Sequence, residues 1–401
     1  MGDHLMISAK TIDSCRLCKS TQLKPIFSTG EIYINDFPAT PNGHRGKADM
    51  TLVRCDECTL IQLDQTVDSE VYFDYWYQSK LNKKIVNNLK EIVTEVKEEI
   101  LLEDNDWVLD IGANDGTLLS FYNNDALVRV GCDPAKSIQQ DLAQNSEYQI
   151  NDLWNKAAWD KLTDQQAKII TAIAMFYDLD DPRSFVQDIK DILRSNGVFV
   201  VQLMPAKPML DTYDIGNVCH EHLLYYTYES LVKLFEECGL EIYKVKENDI
   251  NGGSYQLWIR HFQTGSIEYS EDCSEAALHK WKMQLEINKK QTVNFITAEV
   301  NKGKNIYLYG ASTKGNTIAQ WYNLTPELIK GAAEIHPDKM GRYMVGSQIP
   351  IVHEDEARKD ADYFIIIGFG FRDIFIEKEK EFLDKGGKFI FCTPKFEIVG
   401  K

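Results

Sequence analysis

Residues 107–118, which read WVLDIGANDGTL, constrain the fold of this chain more than any other stretch. The apolar run at 107–109 predicts a buried parallel strand. It ends at Asp110, and a turn containing Gly112 and Gly116 follows before a helix-compatible run. A strand, a tight turn and a helix N-terminus together predict the first crossover of a doubly wound α/β sheet, in which ligands bind beyond the carboxyl ends of the strands.

The turn is not the dinucleotide-binding fingerprint, because Asn114 and Asp115 occupy positions where that pattern has Gly-x-x-Gly. The order Asp-x-Gly-x-Asn-Asp-Gly resembles the first motif of class I S-adenosylmethionine-dependent methyltransferases. An acidic strand end suits the cationic amino-acid part of that cofactor better than a pyrophosphate. An ordinary Rossmann-type turn is the alternative. The candidate cofactor-binding residues of this motif are Asp110, Gly112, Asn114, Asp115 and Gly116.

Two further strands extend the predicted cofactor site. The strand that starts at Val128 leads into Asp133, and an acid at that place commonly accepts hydrogen bonds from ribose hydroxyls. Alternatively, Asp133 is the N-cap of a helix and Pro134 follows it. A third strand, 168–174, ends just before Met175, which we add to the cofactor-binding candidates.

Bulk composition limits the classes of function. A chain of 401 residues is too long for one compact core, so we expect two or three domains. Lys and Arg number 44 against 61 Asp and Glu, a net charge of −17, which argues against nucleic acid as a partner. No run approaches the length of a membrane span, and no basic segment followed by an apolar one opens the chain. These features predict a cytoplasmic protein without a membrane partner.

Four of the nine cysteines form two Cys-x-x-Cys pairs. Each pair can supply two thiolates to a tetrahedral zinc ion, and four protein ligands leave no open position for catalysis. We therefore predict a structural zinc site. A redox pair is the alternative, but neither copy follows a βαβ pattern. The predicted zinc ligands are Cys15, Cys18, Cys55 and Cys58.

The candidate chemistry lies in Cys219-His220-Glu221-His222, which follows the strand 197–203 after a loop. If this piece is extended, the two histidines share a face. Three roles are possible for this segment: a metal site, a structural histidine pair and general base catalysis. Histidine titrates near working pH and an adjacent carboxylate raises its basicity, which favours the base.

Five motifs together resemble the sugar C-methyltransferases that act on nucleotide-linked 4-keto-deoxyhexoses, and the resemblance covers nearly the whole chain. It implies an α/β protein with a small zinc-binding N-terminal lobe, a class I Rossmann-like methyltransferase domain and a second Rossmann-like C-terminal domain. We place these at 1–71, 72–290 and 291–401. The motifs are the paired Cys-x-x-Cys, residues 110–116, Cys-His-Glu-His-Leu at 219–223, Asn-Gly-Gly-Ser at 251–254 and Gly-Ala-Ser-Thr-Lys-Gly-Asn-Thr at 310–317.

The family chemistry implies a role for each catalytic candidate. A base removes the proton beside the 4-keto group, and the enolate attacks the methyl group of S-adenosylmethionine. By resemblance His222 is the base, and Glu221 orients it or holds a sugar hydroxyl. Tyr77, within the aromatic stretch 72–79, matches a family tyrosine near the sugar, and His220 completes the catalytic candidates.

The expected partner is a nucleotide-linked sugar, bound by a protein that is a monomer or a weak homodimer. Two departures from the family lie near the sugar: Cys219 replaces a tyrosine, and Tyr177 lies in a segment where the family often has histidine. Methyl transfer to oxygen or nitrogen, and a non-catalytic zinc-ribbon binding protein, are the alternative functions. The substrate-binding candidates are Cys219, Tyr177, Asn251, Lys314, Asn316 and Arg342.

Apolar patterns along the chain predict further helices and strands. Apolar residues at helical spacing predict a helix over 82–102, and an amphipathic helix is predicted over 184–193. Short strands are expected at 32–38, 50–53 and 60–63 in the first lobe. A long polar helix at 271–302 should lead to the last domain, whose buried strands are expected at 306–309, 364–369 and 388–391.

Overall fold

The computed structural model describes residues 6–73, 77–123, 126–367, 370 and 372–401. Its strands form four sheets. In chain order the strands are β1 (Ala9–Thr11), β2 (Leu23–Tyr33), β3 (Lys47–Cys55), β4 (Ile61–Leu63), β5 (Gln65–Val67), β6 (Trp107–Ile111), β7 (Val128–Cys132), β8 (Tyr148–Ile150), β9 (Ala167–Ile173), β10 (Leu193–Leu203), β11 (Leu224–Tyr225), β12 (Leu240–Asn248), β13 (Ser254–His261), β14 (Ile306–Tyr309), β15 (Gly331–Glu334), β16 (Ile351–His353), β17 (Tyr363–Ile366), β18 (Lys388–Phe391) and β19 (Glu397–Val399).

The helices alternate with the strands from the centre of the chain onward. In chain order they are α1 (Lys83–Glu99), α2 (Thr117–Ser120), α3 (Gln139–Asn145), α4 (Lys156–Leu162), α5 (Pro182–Ile192), α6 (Ala206–Thr212), α7 (Tyr228–Glu237), α8 (Glu275–Asn301), α9 (Thr313–Trp321), α10 (Glu354–Asp360), α11 (Arg372–Lys378) and α12 (Lys380–Asp384). None of the helices in the described residues is long and apolar enough to cross a membrane.

The central sheet has seven strands in the spatial order β12-β13-β10-β9-β6-β7-β8. Numbered by their own chain order, these strands run 3-2-1-4-5-7-6 from the β8 edge. All neighbours from β8 to β10 pair parallel, and β13 pairs antiparallel with both β10 and β12. The order reverses between β6 and β9, which creates the crevice where ligands bind in such sheets.

The C-terminal lobe is a second doubly wound sheet. Its six strands lie in the order β16-β15-β14-β17-β18-β19, which is 3-2-1-4-5-6 by their own chain order. That is the Rossmann order, here with the last strand antiparallel. The α/β class with two Rossmann-like sheets, which the family resemblance implied, is confirmed.

The N-terminal lobe is joined to the rest by pairing and by packing. Its sheet, β11-β4-β3-β2, takes one edge strand from residues 224–225, directly after the His-Glu-His segment. Phe27 of β2 contacts Trp281 of α8 and Trp321 of α9, with ring centroids 5.2 and 5.5 Å apart. One buried apolar cluster therefore runs through all three parts of the molecule.

Several element limits differ from the expectation because local hydrogen bonds set them. The Asn82 side chain accepts from the backbone of α1, so that helix begins at Lys83, and it ends at Glu99. Asp181 caps α5 with Pro182 in the first turn, so that helix begins before the predicted residue 184. The first-lobe strand ends at Tyr33, so 34–38 are not part of it.

Two predicted limits, one of a strand and one of a domain, do not coincide with the limits of described elements. The predicted strand at 364–369 ends at Ile366, and its positions 368 and 369 lie outside the described residues, as do 74–76 of the aromatic stretch. Helix α8 passes continuously through the predicted domain boundary at 290 and 291. The domain limits stay a prediction.

Candidate active site and zinc centre

The two Cys-x-x-Cys pairs converge in the N-terminal lobe. The Sγ atoms of Cys15 and Cys58 lie 3.6 Å apart, those of Cys18 and Cys55 lie 3.5 Å apart, and all four are within 4.8 Å of one another. Tetrahedral thiolates about 2.3 Å from zinc are about 3.8 Å apart, so this set fits the ion. All four cysteines are free, since a disulfide brings its sulfur atoms to about 2.0 Å.

Hydrogen bonds through Gln62 and Arg16 connect the zinc centre to the loop that follows β9 of the central sheet. The Gln62 amide donates to the Cys15 Sγ at 3.2 Å and accepts from the Arg16 backbone at 3.1 Å. Arg16, only 3% exposed, donates from Nε to the Asp180 carboxylate at 3.0 Å. Because zinc would hold residue 15, it would also hold the guanidinium next to it against the loop after β9.

A cavity of about 850 Å³ lies at the carboxyl ends of the central strands and extends to the C-terminal lobe. Its walls contain eleven of the residues that the sequence singled out. They are Tyr77, Asp110, Gly112, Asn114, Asp133, Met175, Tyr177, Glu221, His222, Asn251 and Lys314. The cavity therefore brings together candidates from the cofactor motif, the His-Glu-His segment and the last Rossmann-like lobe.

Asp110 lies at the end of β6 in the cofactor half of this cavity. The Thr171 hydroxyl donates to its Oδ1 at 2.6 Å, and burial raises the pKa of the Asp110 carboxyl to about 7 in spite of that bond. A cationic ligand beside Asp110 would reverse that effect, because an opposite charge favours the carboxylate. The site therefore suits the ammonium group of an amino-acid cofactor.

Gly112 lets the backbone pass close to the cavity floor. Its φ is +71°, and a Cβ there would lie 2.8 Å from the Cγ of Met175. Asn114 holds the other side of the turn, since its side chain accepts from the Ser79 backbone at 2.9 Å and donates to the Tyr77 carbonyl at 3.0 Å. The turn is thereby tied to the segment that leads into α1.

Asp133 is fixed at the end of β7 by two backbone amides. Asn114 N–H donates to its Oδ2 at 2.8 Å and Ala135 N–H to its Oδ1 at 2.9 Å, while burial raises the pKa of this carboxyl. Each oxygen keeps a second lone pair for ribose hydroxyls. Trp154 lines the same end, and its indole Nε1 has no hydrogen-bond partner in the described part of the chain. The acceptor oxygens of Asp133 and the Trp154 indole fit the ribose and the base of S-adenosylmethionine.

His222 is held with one ring nitrogen committed. Its Nδ1 lies 2.8 Å from the backbone carbonyl of Asn217. A carbonyl can only accept, so Nδ1 carries the hydrogen and Nε2 of the neutral ring keeps its lone pair. Burial lowers the pKa of His222, which keeps the ring neutral at working pH. The Tyr177 ring contacts it edge-on, with centroids 4.5 Å apart.

The far end of the cavity belongs to the C-terminal lobe. Lys314, in the first turn of α9, donates from Nζ to the Asn251 carbonyl at 2.8 Å and lies 3.8 Å from the Asp214 carboxylate. Burial lowers the pKa of this amine. Lys339 lies over the Phe37 ring at 4.1 Å and donates to the Ala311 carbonyl at 2.7 Å. Two amines thus line the end opposite the cofactor turn.

Two predicted cofactor residues support the turn but do not line the cavity. Asp115 accepts from the Lys80 backbone at 2.9 Å and from the Thr117 hydroxyl at 2.5 Å, which consumes its carboxylate in holding the helix start. Gly116 is the N-cap of α2, and a Cβ there would lie 2.8 Å from that of Asn145. Both residues therefore stabilise the turn and the start of α2.

Four other candidates also lie behind the wall. The His-Glu-His segment is a turn and not an extended strand, so His220 points away from His222 and its Nε2 lies 3.1 Å from the Ala48 carbonyl. Cys219 is buried in the same turn. Asn316, 1% exposed, donates to Asn35 Oδ1 at 2.6 Å. Arg342, predicted to bind substrate, donates to the Phe37 carbonyl at 3.0 Å, so its guanidinium joins two lobes.

The sequence did not reveal several residues of the cavity wall. Trp154 follows β8, a strand of three residues without an apolar run, although the carboxyl edge of every parallel strand is a candidate position. Gln202 links Asn88 and Asn248 through hydrogen bonds of 2.7 and 2.8 Å. These side chains come from three separate elements, and no local pattern connects them.

Three family models match successive parts of the chain. Residues 15–73 match a zinc binding domain, 77–245 a methyltransferase domain, and 249–394 a C-methyltransferase C-terminal domain. The C-methyltransferase NovU of Streptomyces niveus is 24% identical over 409 aligned residues, covering 97% of each protein.

Solved structures similar to this one include methyltransferases. An S-adenosylmethionine-dependent methyltransferase from Clostridium acetobutylicum is 12% identical and covers 44% of this chain and 92% of its own, with a TM-score of 0.36. Magnesium protoporphyrin IX methyltransferase from Synechocystis, solved with bound SAH, is 9% identical and covers 44% of this chain and 83% of its own, with a TM-score of 0.34.

Proposed function

We propose that this chain, which matches a methyltransferase domain and a C-methyltransferase C-terminal domain, uses S-adenosylmethionine to methylate the carbon beside the ketone of a nucleotide-linked 4-keto-deoxysugar. The single observation that carries the proposal is the orientation of His222. Its Nδ1 is committed to the Asn217 carbonyl, and the ring lines the cavity with an unprotonated Nε2.

Transfer to carbon needs a base, because a C–H bond is a weak acid even beside a ketone. His222 meets that need, since a neutral imidazole buried in the cavity accepts the proton. The Glu221 carboxylate next to it favours the imidazolium that forms. The relative that aligns along the whole chain is itself a C-methyltransferase, which supports carbon as the methyl acceptor.

S-adenosylmethionine would supply an electrophilic methyl group at a sulfonium centre. In this proposal Asp110 faces the ammonium of its methionine part, Asp133 accepts from its ribose, and Trp154 lies along its base. Gly112 lets the backbone approach without a Cβ, and Met175 closes the floor below it. Met175, Asn114 and Gly112 thereby position the transferable group.

The opposite half of the cavity would hold the nucleotide-linked sugar. Lys314 and Lys339 supply positive charge there, and the first turn of α9 adds backbone donors beside Lys314. Tyr77, Tyr177 and Asn251 line the space between that end and His222. The structural zinc ion, bound by Cys15, Cys18, Cys55 and Cys58, takes no part in the chemistry, because all four ligands come from the protein.

The test is mass spectrometry and proton NMR of a panel of nucleotide-linked 4-keto-deoxyhexoses incubated with S-adenosylmethionine. Gain of one methyl with loss of the C–H beside the ketone supports the proposal. Gain of a methyl with that C–H retained would establish transfer to oxygen or nitrogen instead. In heavy water without S-adenosylmethionine, the same C–H should exchange for deuterium.

A pair of histidine variants assigns the base. His222→Gln should abolish both exchange and methylation while S-adenosylmethionine still binds, because the amide is no base. His220→Gln is the matched control, since His220 bonds to the Ala48 carbonyl and does not line the cavity. Exchange that survives His222→Gln would remove His222 from the base role.

A further inference from the structure

Two short segments lie side by side on the cavity wall, and each carries a carboxyl group beside an aromatic ring. Leu223 N–H donates to the Tyr177 carbonyl at 2.9 Å, which aligns 177–178 with 221–222. The Tyr72 hydroxyl donates to the Glu221 carbonyl at 2.7 Å and lies 3.4 Å from that of Asp178. Asp178 and Glu221 thus occupy corresponding places next to the Tyr177–His222 ring contact.

One oxygen of each carboxyl group lacks a hydrogen-bond partner, although Glu221 also has a side-chain hydrogen bond with the Cys219 thiol. Asp178 Oδ1, Glu221 Oε2 and the side-chain oxygen of Asn217 are buried, and none has a hydrogen-bond partner among the described residues. All three residues line the cavity. Buried polar atoms are nearly always hydrogen-bonded, so three unpaired oxygens at one wall point to a ligand.

No basic side chain offsets the two acids. Within the described ranges, neither Asp178 nor Glu221 takes part in an ion pair with Lys or Arg. The titratable groups that interact with the Asp178 carboxyl are Glu221, Cys219, Tyr225 and Tyr226, which lie in the turn, in β11 and directly after it, and the Tyr72 hydroxyl contacts the Asp178 backbone carbonyl. Arg16 binds Asp180, two residues farther along.

Two buried carboxyl groups beside each other do not both ionise at neutral pH. Burial raises the pKa of Asp178 well above its usual range, and the charge of Glu221 adds to that effect. The opposite holds for His222, whose pKa burial lowers. Burial therefore favours the protonated form of Asp178 and the neutral form of His222 in the wall of the same cavity.

We propose that Asp178 is a second catalytic residue, a protonated carboxyl group that donates its hydrogen to the substrate oxygen on which negative charge collects. This inference rests on the proposed C-methylation and adds the acid to its base. Glu221 is then the positioning residue that keeps the proton on Asp178.

The step balances in protons and electrons. His222 Nε2 takes the proton beside the ketone, the C–H pair becomes the C=C bond, and the C=O π pair moves to oxygen, which the Asp178 O–H hydrogen-bonds or protonates. When the carbon forms its new bond to methyl, the bond between that methyl group and the sulfonium sulfur would break, the electron pair would stay on sulfur and S-adenosylhomocysteine would leave. The C=O bond is restored at the same time, and the hydrogen that Asp178 shared with or gave to the oxygen is back on its carboxyl group. His222 ends the cycle with the substrate proton, which passes to solvent.

The first test needs no substrate. Infrared difference spectra at neutral pH between the zinc-loaded protein and Asp178→Asn should show one carbonyl stretch of a protonated carboxyl group, assigned by its absence in the variant. In Glu221→Gln the pH at which this band disappears should move down, because the neighbouring charge is gone. If Asp178→Asn removes no such band, the proposal is overturned whatever the substrate is.

The second test uses the keto sugar that the wild-type protein methylates. Asp178→Leu removes the donor and should lower kcat by about 100-fold or more, the usual cost of one oxyanion donor. Asp178→Asn keeps an N–H donor and should lose only about tenfold. The wild-type rate should fall as pH rises through the Asp178 titration, and Asp178→Asn should lack that limb.

The outcomes separate the two proposals. If Asp178→Leu, shown to be folded by unchanged S-adenosylmethionine affinity, turns over like wild type, or if Asp178→Asn keeps the alkaline limb, Asp178 is not the acid. If the band is present but the wild-type protein methylates no keto sugar, the proposed function fails while the protonated carboxyl stands.

Discussion

The Arg16 guanidinium and the Asp180 carboxylate join the zinc centre to the catalytic wall, with Nε 3.0 Å from Oδ1. Arg16 sits between two zinc-binding cysteines, and Asp180 lies two residues after Asp178. On the other side of the site, β11 follows His222 directly and pairs with β4, which follows Cys58. The zinc lobe thus holds both segments that carry the proposed acid and base.

Removal of zinc should unfold the N-terminal lobe and abolish turnover. The ion would be the common bond of the four thiolates, and the apolar cluster confined to this lobe is small. Calorimetry with and without a chelator measures the change in Tm, and added zinc should restore it. An unchanged Tm after verified metal loss would contradict the structural role of the ion.

Arg16→Met should destabilise the protein by about 3 kcal/mol. The guanidinium also donates to the Leu63 and Gln65 carbonyls at 2.5 and 2.9 Å, and the apolar side chain would leave these buried acceptors unpaired. Urea denaturation measures the loss of unfolding free energy.

Asp180→Asn is the matched control for Arg16→Met. It removes only the ion pair, and the Asp180 side chain is largely exposed, so its cost should stay below about 1 kcal/mol. Equal losses for the two variants would mean that the ion pair, and not the buried carbonyl contacts, carries the stability.

Gly112→Ala should weaken S-adenosylmethionine binding by at least about tenfold. The new Cβ would meet Met175 Cγ at 2.8 Å and Cβ at 3.0 Å, atoms near the backbone that cannot swing away, so the cofactor floor must shift. A left-handed φ adds about 1–2 kcal/mol of backbone strain.

Gly303→Ala is the control variant, because it introduces the backbone strain of a left-handed φ without the steric clash expected at Gly112. Gly303 has a φ of +80° and no atom within 4 Å of a built Cβ, so this variant carries the strain alone. Isothermal titration calorimetry should find wild-type cofactor affinity for Gly303→Ala. If both variants bind equally well, the close approach at Gly112 has no role in cofactor binding.

S-adenosylmethionine affinity should rise with pH through about 7. Burial raises the pKa of Asp110 to about 7, so below that pH the carboxyl is neutral and offers no charge to an ammonium group. Titration calorimetry across this range should show a plateau on the alkaline side. Asp110→Asn should bind weakly with no such pH dependence, and a wild-type profile in the variant would exclude Asp110 as the ammonium partner.

The raised pKa of Asp110 also predicts that, without cofactor, the unfolding free energy falls as pH rises. The native state binds the Asp110 proton more tightly than the unfolded chain, so its contribution to stability falls as pH rises from the ordinary value of 3.8 to about 7. Without cofactor, Asp110→Asn should therefore melt above the wild type on the alkaline side. A lower Tm there would contradict the raised pKa of this buried carboxyl.

The sequence by itself determined the features that local pattern encodes. The strand, glycine turn and helix start at 107–118 are enough to predict a doubly wound sheet, because strand burial and left-handed turns depend on neighbours in the chain, and the family resemblance added the second one. The spacing of Cys15, Cys18, Cys55 and Cys58 likewise predicted the zinc ligands, since tetrahedral coordination needs two close pairs. The carboxyl ends of β6 and β7 located Asp110 and Asp133.

Only the tertiary structure decided which polar groups meet. The sequence cannot tell that His222 commits Nδ1 to a carbonyl, that His220 turns toward the zinc lobe, or that Arg342 bonds to Phe37, because each contact joins a turn to a partner set by packing. Asp178 and Glu221 are 43 residues apart and share no period, yet burial and the neighbouring Glu221 raise the pKa of Asp178. Burial and mutual charge depend on the folded surroundings and not on residue type, so that property arises only in the fold.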